Sequence, residues 1–570
     1  MKNIEIAGVF RDYAVILEIK GENVFRIRAY EKAAQVLEGL PGDIERYASE
    51  GTLTEIPGIG KDLSGKIKEF LKTGKIESFE ELKKSLPEGL PELLSIPSVG
   101  PKTVKLLYER AGVKNINDLE KAIREHKLDG IAGIKEKTIE NIAGGISVVK
   151  RVKERMPLPV AIQLADEFIS PLKELPEVKN IVCAGSLRRH KETIRDIDIL
   201  ITSENPRRVM DTFVVLPGVK EIQSHGETKS SVRTAGGIQI DCRVVEEKSF
   251  GAALLYFTGS KNFNINIRQR AVKQGLKINE YGVFKGDKFV AGHTEKDIFK
   301  LLKLEYVEPE LREDNGEIEL AQKFSLPRLV ESGDIQGDLH AHSTWSDGSN
   351  SIREMADAAE KKGYSYIAIT DHSQSLRVAR GLSISDLAVK KKEIDKINKN
   401  SKGFTVLYGT EADIGMNGDI DYPDEILRGF DIVVGAVHSG FRQSREQMTK
   451  RLIRACKNKF VNFIAHPTGR LWGSRDAYEF DFDEVLKAAR DTNTHLEINS
   501  FPDRLDLNDL NCRKAKEAGV KLVINTDAHS TAHLGMISYG LMVARRGWLE
   551  AHDVINTFPL KELRKIIIKN

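Results

Sequence analysis

The sequence predicts a multidomain chain with α-helical hairpins at the front, an α+β domain in the middle and an α/β barrel at the C-terminal end. Three observations predict it. Helical runs broken by glycine turns recur three times before residue 155. Short β-rich runs crowd residues 160–250. From residue 337 onward, apolar strand runs alternate with helical ones. Length agrees, since 570 residues at roughly 100–200 per domain make about three to five domains.

Composition narrows the class. With 40% hydrophobic and 30% charged residues the chain can bury ordinary cores. No apolar run reaches the length of a membrane span, and the N-terminus lacks the apolar core of a signal peptide. Cys183, Cys242, Cys456 and Cys512 form neither a disulfide framework nor a CxxC pair, so a reducing, cytoplasmic setting is expected. The net charge of +3 excludes a globally basic nucleic-acid coat but not an enzyme with local contacts. Histidine is uneven: four lie before residue 335 and nine after it.

The front segments IPGIGKDLSGKI (56–67), IPSVGPKTVKLL (96–107) and DGIAGIKEKTIENI (129–142) share a helix, glycine turn, helix plan. Gly58, Gly60 and Gly100 permit close approach, and the helix that follows offers unpaired N–H groups to a phosphate. Such turns hold a DNA backbone without reading bases. Residues 1–155 carry 27 Lys+Arg against 25 Asp+Glu, which fits backbone-dipole contacts better than a basic stripe.

In the middle, CAGSLRRHKETIRDIDILI places Gly185-Ser186 at a strand-to-helix turn suited to a triphosphate, ahead of Asp196 and Asp198. Positions i and i+2 of a strand face one way, so these carboxylates share a target while Ile197 and Ile199 enter the core. Asp241, in IQIDCRVV, lies on a strand that can run alongside. Three carboxylates suit Mg²⁺ or Mn²⁺ and in-line attack of a hydroxyl on an α-phosphate.

The C-terminal histidines fall into a pattern. His340 and His342 form HxH, Asp347 follows, and His372, Glu411, His438 and His466 each end an apolar run; Asp527 and His529 form DxH after the last one. Strand C-terminal ends are where β/α barrels gather their sites. Nine His, Asp and Glu ligands can serve three metals, and the N/O mixture suits Zn²⁺, Mn²⁺ or Fe²⁺. Such a site would activate water against a phosphoester. His495, His533 and His552 fall outside the pattern and read as ordinary histidines.

GSLRRHKETIRDIDIL resembles the nucleotidyltransferase motif of family X DNA polymerases, and YFTGSKNFNINIRQRA and LKINEYGVF resemble the DNA polymerase beta segment that follows it. HAHSTWSDG, ITDHS, AHPTGRLWG and NTDAHS resemble the motifs of the polymerase-and-histidinol-phosphatase (PHP) domain, a distorted (βα)7 barrel. Together the halves resemble bacterial and archaeal family X polymerases with a C-terminal PHP domain. The resemblance implies a lyase-like helix-hairpin-helix (HhH) domain at 1–85, an HhH DNA-binding subdomain at 86–155 and an α+β nucleotidyltransferase palm at 156–250. It further implies a nucleotide-selection subdomain at 251–315, a linker at 316–334 and a PHP phosphoesterase at 335–570.

Residue by residue, it implies catalytic metal ligation by Asp196, Asp198 and Asp241, and β/γ-phosphate contacts from Ser186 and Arg189, with Arg155 a further candidate. Tyr256 and Phe257 would crowd the sugar 2′ position, Asn264 would lie near the base edge and Arg268 near the template. Lys66 falls at the lyase nucleophile's place, but the lysine expected one turn earlier is Asp62, and Gln239 replaces a basic residue two before Asp241. In the barrel, one metal would take His340, His342, Glu411 and Asp527. A second would take Glu411, His438 and His466, and a third Asp347, His372 and His529; Arg470 would touch phosphate. The implied function is filling of short gaps in DNA repair, including base excision repair. The PHP half would act as a 3′–5′ exonuclease or 3′-end phosphoesterase and cut abasic sites. Expected partners are gapped or nicked DNA and dNTPs, without a membrane and with a monomeric chain. Two rivals differ in one half each: a PHP barrel kept as a metal-stabilised scaffold, or a DNA-binding nuclease that does not polymerise.

Overall fold

The computed structural model describes residues 2–569 apart from 39–43, 57, 88, 97–98, 132 and 154. It divides into two compact units, Met1–Lys153 and Glu154–Asn570.

The first unit is helical and holds two cores. One gathers Phe10, Tyr30, Leu63, Ile67 and Phe70, the other Leu93, Val104, Leu107, Leu119 and Ile142. Helix α1 (Lys61–Thr73) buries Leu63, Ser64, Ile67 and Phe70, a stripe at helical spacing, and stops at Gly74 in the left-handed region (φ +73°). Helix α2 (Pro101–Ala111) starts on proline, which lacks the N–H that would go unpaired there, and stops at Gly112 (φ +66°). Helix α3 spans Glu136–Lys153. The hairpin turns lead into α1, α2 and α3, although their Pro57, Pro97, Ser98 and Ala132 lie outside the described residues.

The second unit opens with a five-stranded sheet of β1 (Val178–Cys183), β2 (Asp196–Ser203), β3 (Val219–His225), β4 (Lys229–Thr234) and β5 (Gln239–Val244). Their order is β1-β2-β5-β4-β3, with only β2 and β5 parallel. Alternation in β2 buries Ile197 and Ile199 against Phe168, Phe213 and Ile240 and turns Asp196 and Asp198 outward. Helix α4 (Gly185–Arg188) caps the β1 end. Helices α5 (Phe250–Thr258) and α6 (Lys261–Lys273) then pack with a small three-stranded sheet within residues 277–291.

A buried ion network joins these pieces. Glu295 is paired by both Arg188 (Nη2–Oε2, 2.7 Å) and Arg312 (Nη1–Oε1, 2.5 Å), and the Tyr306 hydroxyl donates to it at 2.9 Å. Arg312 is wholly buried, and burial alone would raise the Glu295 carboxyl; the two guanidinium groups outweigh it and hold Glu295 down at about 2.

The polar stretch 316–334, expected to be a linker, is packed. Ile318, Ala321 and Leu329 join the core that contains Phe263 and Phe299, while the next residue, Val330, joins the barrel core. The charged residues conceal this apolar set, and successive residues of an extended chain face opposite ways.

The barrel strands are β6 (Gly337–Ala341), β7 (Tyr366–Ile369), β8 (Thr405–Asp413), β9 (Ile432–Ala436), β10 (Phe463–Ile464), β11 (His495–Asn499) and β12 (Leu522–Asn525). All neighbours are parallel and in chain order, and a bridge between Ala341 and Ala528 brings the last strand back to the first. Most are buried along their whole length, as strands covered on both faces must be. Helices α7 (Asp509–Glu517) and α8 (Ile537–Arg546) flank β12.

Arg312→Ala leaves one side of Glu295 uncompensated in an apolar setting. We expect it to cost about 3–5 kcal/mol, read as a lower midpoint in urea unfolding followed by circular dichroism. An unchanged midpoint would show that the network contributes nothing to stability.

Candidate functional site

In the middle domain the site follows from strand register. Asp198 on β2 lies directly opposite Asp241 on the parallel β5, and Asp196 lies opposite Gln239. Burial, with the charges of Asp196 and Asp241 beside it, pushes the Asp198 carboxyl up to about 7. Carboxylates that resist sharing one patch fit a divalent cation, whose charge reverses that balance. Gln239 Nε2 donates to Asp241 at 3.1 Å to each oxygen, and the Ser231 hydroxyl donates as well, so the residue that departs from the family pattern steadies this carboxylate.

Gly185 has φ +61°, and a Cβ there would stand 2.3 Å from Asp198 Oδ2. Only glycine lets the α4 turn meet the carboxylate, and the Ala184 amide donates to the Asp198 carbonyl at 2.8 Å. Ser186 sits on that turn, partly exposed. Two of the expected arginines have partners within the chain. Arg189 is buried: its Nε pairs with Glu313 at 3.0 Å and its Nη1 donates to the Thr258 carbonyl. Arg155 bonds Thr193 through the side-chain oxygen (2.8 Å) and the carbonyl (2.6 Å). Both guanidinium groups are drawn to local acceptors that only the folded chain supplies.

Tyr256 and Phe257 meet edge to face, 5.1 Å between centroids, and Arg243, two residues after Asp241, lies 4.7 Å over the Phe257 ring. The Asn264 amide donates to the Tyr256 carbonyl at 2.7 Å, and Arg268 Nε to the Asn264 carbonyl at 3.2 Å. The structure thus brings Tyr256, Phe257, Asn264 and Arg268 together on α5 and α6.

In the helical unit, Gly58 takes φ +94°, while Gly60 and Gly100 cap α1 and α2 with no side-chain capping bond; a Cβ on either would meet nothing within 4 Å. Space is open before both helix starts, as a phosphate contact requires. Lys66 Nζ is 2.6 Å from Asp62.

At the barrel the ligand-type residues converge. His340, His342 and Asp527 form one group, His342, Asp347, His372 and His529 a second, and His372, Glu411 and His438 a third. Glu411 stands among five imidazoles: Oε2 is 2.9 Å from His372, 3.5 Å from His340 and 3.6 Å from His342, and Oε1 is 3.1 Å from His466 and 3.3 Å from His438. All nine expected residues are therefore brought together. The grouping differs from the expected one: His342 and His372 each belong to two groups, Glu411 to one, and His466 joins through its contact with Glu411. Nε2 of His340 and both ring nitrogens of His342 are buried without a hydrogen-bond partner, which suits them to a cation. Burial disfavours charge on every ring. It prevails, helped by His529 and His372, at His342, and prevails again, with Arg504 beside it, at His466; both fall to about 4. At His372 the neighbouring Glu411 and Asp347 outweigh it and raise the ring to about 10.

Sequence reasoning missed the residues behind these ligands. Glu497 Oε1 takes His340 Nδ1 at 2.8 Å, Oε2 takes the His466 amide at 2.7 Å, and Asn525 and Asn499 also donate to it. Asp413 holds His438 Nδ1 at 2.5 Å. Both had a signal: Glu497 nears the end of an apolar run like the ligands do, and Asp413 is two residues past Glu411. Arg470 does not face the cluster. It pairs with Glu192 at 2.5 Å and donates to the carbonyls of Arg504 and Leu505. Arg504 Nε is instead 3.5 Å from Asp527. Of the three histidines read as ordinary, His533 accepts the His529 amide at 3.3 Å, and the acidic neighbours of His552 are paired with Lys516.

The helix-hairpin-helix domain family matches residues 1–76, a SAM-like helix-hairpin-helix tandem 90–143, the DNA polymerase beta thumb 253–313 and the PHP domain 338–501. The chain is 40% identical to the DNA polymerase/3′-5′ exonuclease PolX of Bacillus subtilis (strain 168), over all of both chains. It is 33% identical to a probable phosphatase of Thermoanaerobacter sp. (strain X514), over 39% of this chain and 89% of that one. To DNA polymerase lambda of Rattus norvegicus it is 28% identical over 55% of this chain and 56% of that one.

A carboxylate that orients a ligating imidazole tunes affinity through the ring. Glu497→Gln is expected to weaken Mn²⁺ binding about 10–100-fold in a calorimetric titration while circular dichroism stays unchanged. Wild-type affinity in that variant would deny Glu497 the role.

Proposed function

The chain belongs to the family X DNA polymerases that carry a C-terminal PHP domain, polymerases with a 3′–5′ exonuclease, and on that premise we propose which residues act and on which DNA. Polymerisation belongs to Asp196, Asp198 and Asp241, which would hold Mg²⁺ or Mn²⁺. Hydrolysis belongs to His340, His342, Asp347, His372, Glu411, His438, His466, Asp527 and His529, which would hold three ions of Zn²⁺, Mn²⁺ or Fe²⁺. When bound, divalent ions supply Lewis acidity, lowering the pKa of an attacking hydroxyl or water and neutralising phosphate oxygens.

The chain's own groups do the rest. Ser186 and the amides of its turn hold the triphosphate beside Asp198, with Gly185 setting the closeness of that approach. The Tyr256–Phe257 pair, braced by Arg243, walls the sugar and disfavours a 2′-hydroxyl. Asn264 is held against the Tyr256 carbonyl at the base edge, and exposed Arg268 meets the template strand. The open helix starts behind Gly60 and Gly100, with Gly58, grip the DNA backbone, which fits a substrate with duplex on both sides of a short gap. In the barrel, Glu497 and Asp413 fix the rings of His340 and His438 by taking their Nδ1 sides, which leaves Nε2 for a cation. Lys66, tied to Asp62, is the weak point of a lyase function. A Schiff-base lysine needs its Nζ free to attack, and here that nitrogen is held by a carboxylate.

The observation that carries the reading is the pairing of Asp198 with Asp241 in one chain with a complete barrel ligand set. A 5′-labelled gapped duplex with Mn²⁺, with and without dNTPs, reads both activities. Asp198→Asn together with Asp241→Asn is expected to lower incorporation at least about 1,000-fold and leave 3′ trimming; His340→Ala with His342→Ala should do the reverse. Trimming that survives the histidine changes would make the barrel a scaffold.

A further inference from the structure

The best candidate outside both metal sites lies where helix α8 of the barrel reaches the palm. Glu313 Oε1 is shared by three cations: Arg189 Nε at 3.0 Å, Arg546 Nη1 at 3.2 Å and Lys191 Nζ at 3.5 Å. Arg546, at the end of α8, is 8% exposed. Its Nη1 also donates to the Arg189 carbonyl at 2.7 Å, and its Nε and Nη2 grip Asp509 on α7, each at 2.8 Å. Counting Asp509 with Glu313, two carboxylates face three cations, which leaves one positive charge in excess beside the residues that follow the Ser186 turn.

We propose that Arg546, on a helix of the hydrolase barrel, is a positioning residue of the polymerase site: by sharing Glu313 it lets Arg189 exchange that carboxylate for the triphosphate of an incoming dNTP. The inference rests on the reading that the Ser186 turn seats the triphosphate. Arg189 directly follows the Gly185–Arg188 turn that meets Asp198, yet its Nε and Nη1 are held by Glu313 and the Thr258 carbonyl. To serve a phosphate it must let Glu313 go. A buried carboxylate that loses its partner is costly, and this cost would hold Arg189 in place. Arg546 removes it, since Glu313 keeps a fixed guanidinium when Arg189 swings away. Lys191 is a poorer substitute, more distant and more exposed. The bond from Arg546 to the Arg189 carbonyl keeps the main chain still while the side chain moves. The barrel would thus set nucleotide affinity on the opposite half of its own unit.

Single-nucleotide insertion into a gapped duplex by the full-length chain tests this, with dNTP KM and kcat measured separately and 3′ trimming followed in parallel. Arg546→Ala is expected to raise the dNTP KM about tenfold while kcat stays within about twofold. Arg546→Lys should recover part of the loss. Asp509→Asn, which removes the other partner of Arg546 and spares Glu313, should leave KM near wild type, and trimming should be constant throughout. Arg189→Ala is the reference and should raise KM at least as much. If Arg189→Ala raises KM and Arg546→Ala does not, the inference falls and the triphosphate seat stands. If Arg189→Ala leaves KM unchanged, the seat falls and the inference with it. Equal losses of insertion and trimming in Arg546→Ala and Asp509→Asn would overturn the positioning role in favour of a structural one.

Discussion

A buried carboxylate cannot stand alone, and the C-terminal half is organised around one that does not. Glu411 is 1% exposed and answers imidazoles from five places along the chain. Those rings sit on or just after β6, β7, β9 and β10, so they can reach one carboxylate only if the parallel register holds across the barrel. Electrostatics and topology therefore demand the same thing. Burial drives Glu411 toward protonation, and the histidines around it reverse the outcome, holding it well below the usual carboxylate range.

The palm solves a related problem with fewer strands. Two parallel neighbours in an otherwise antiparallel sheet bring Asp198 level with Asp241, and period two adds Asp196. The donors there are oxygens alone, whereas the barrel mixes nitrogen and oxygen. One chain thus offers a hard oxygen patch beside the amides of the Gly185 turn and a nitrogen-rich pocket of the kind that suits more avid transition ions. The two donor sets differ in chemistry before either site is filled.

How much was legible in the sequence depends on the range of each interaction. DxD was readable because a strand's two-residue period fixes where such a pair aims. HxH and DxH were readable because they close apolar strand runs, although Asp527 and His529 lie past β12, and the strand runs themselves announced a barrel. Gly185 was readable as a turn, but the reason no other residue fits, the Asp198 oxygen, belongs to the fold. Glu497 and Asp413 act through other residues, so their places, near a strand end and two past Glu411, signalled nearness to the site but not the role. Arg189, Arg155 and Arg470 show the limit most plainly. A long cationic side chain takes the best acceptor within reach, and those acceptors, Glu313, Thr193 and Glu192, were chosen by packing. In the stretch 316–334 the charged residues are interspersed with the apolar ones that anchor it, so neither a helical nor a strand pattern stands out.

Leu329 and Val330 show what that anchoring means. They are adjacent, and each is buried in a different core, one among the residues that follow the palm and the other beneath the barrel. A joint of this kind is a rivet rather than a tether. A protease that cut there would have to pry open both cores, so the synthetic and degradative activities share one lifetime and are present in strict one-to-one proportion. A nick that freed the hydrolase from the polymerase would leave each half with an apolar wound.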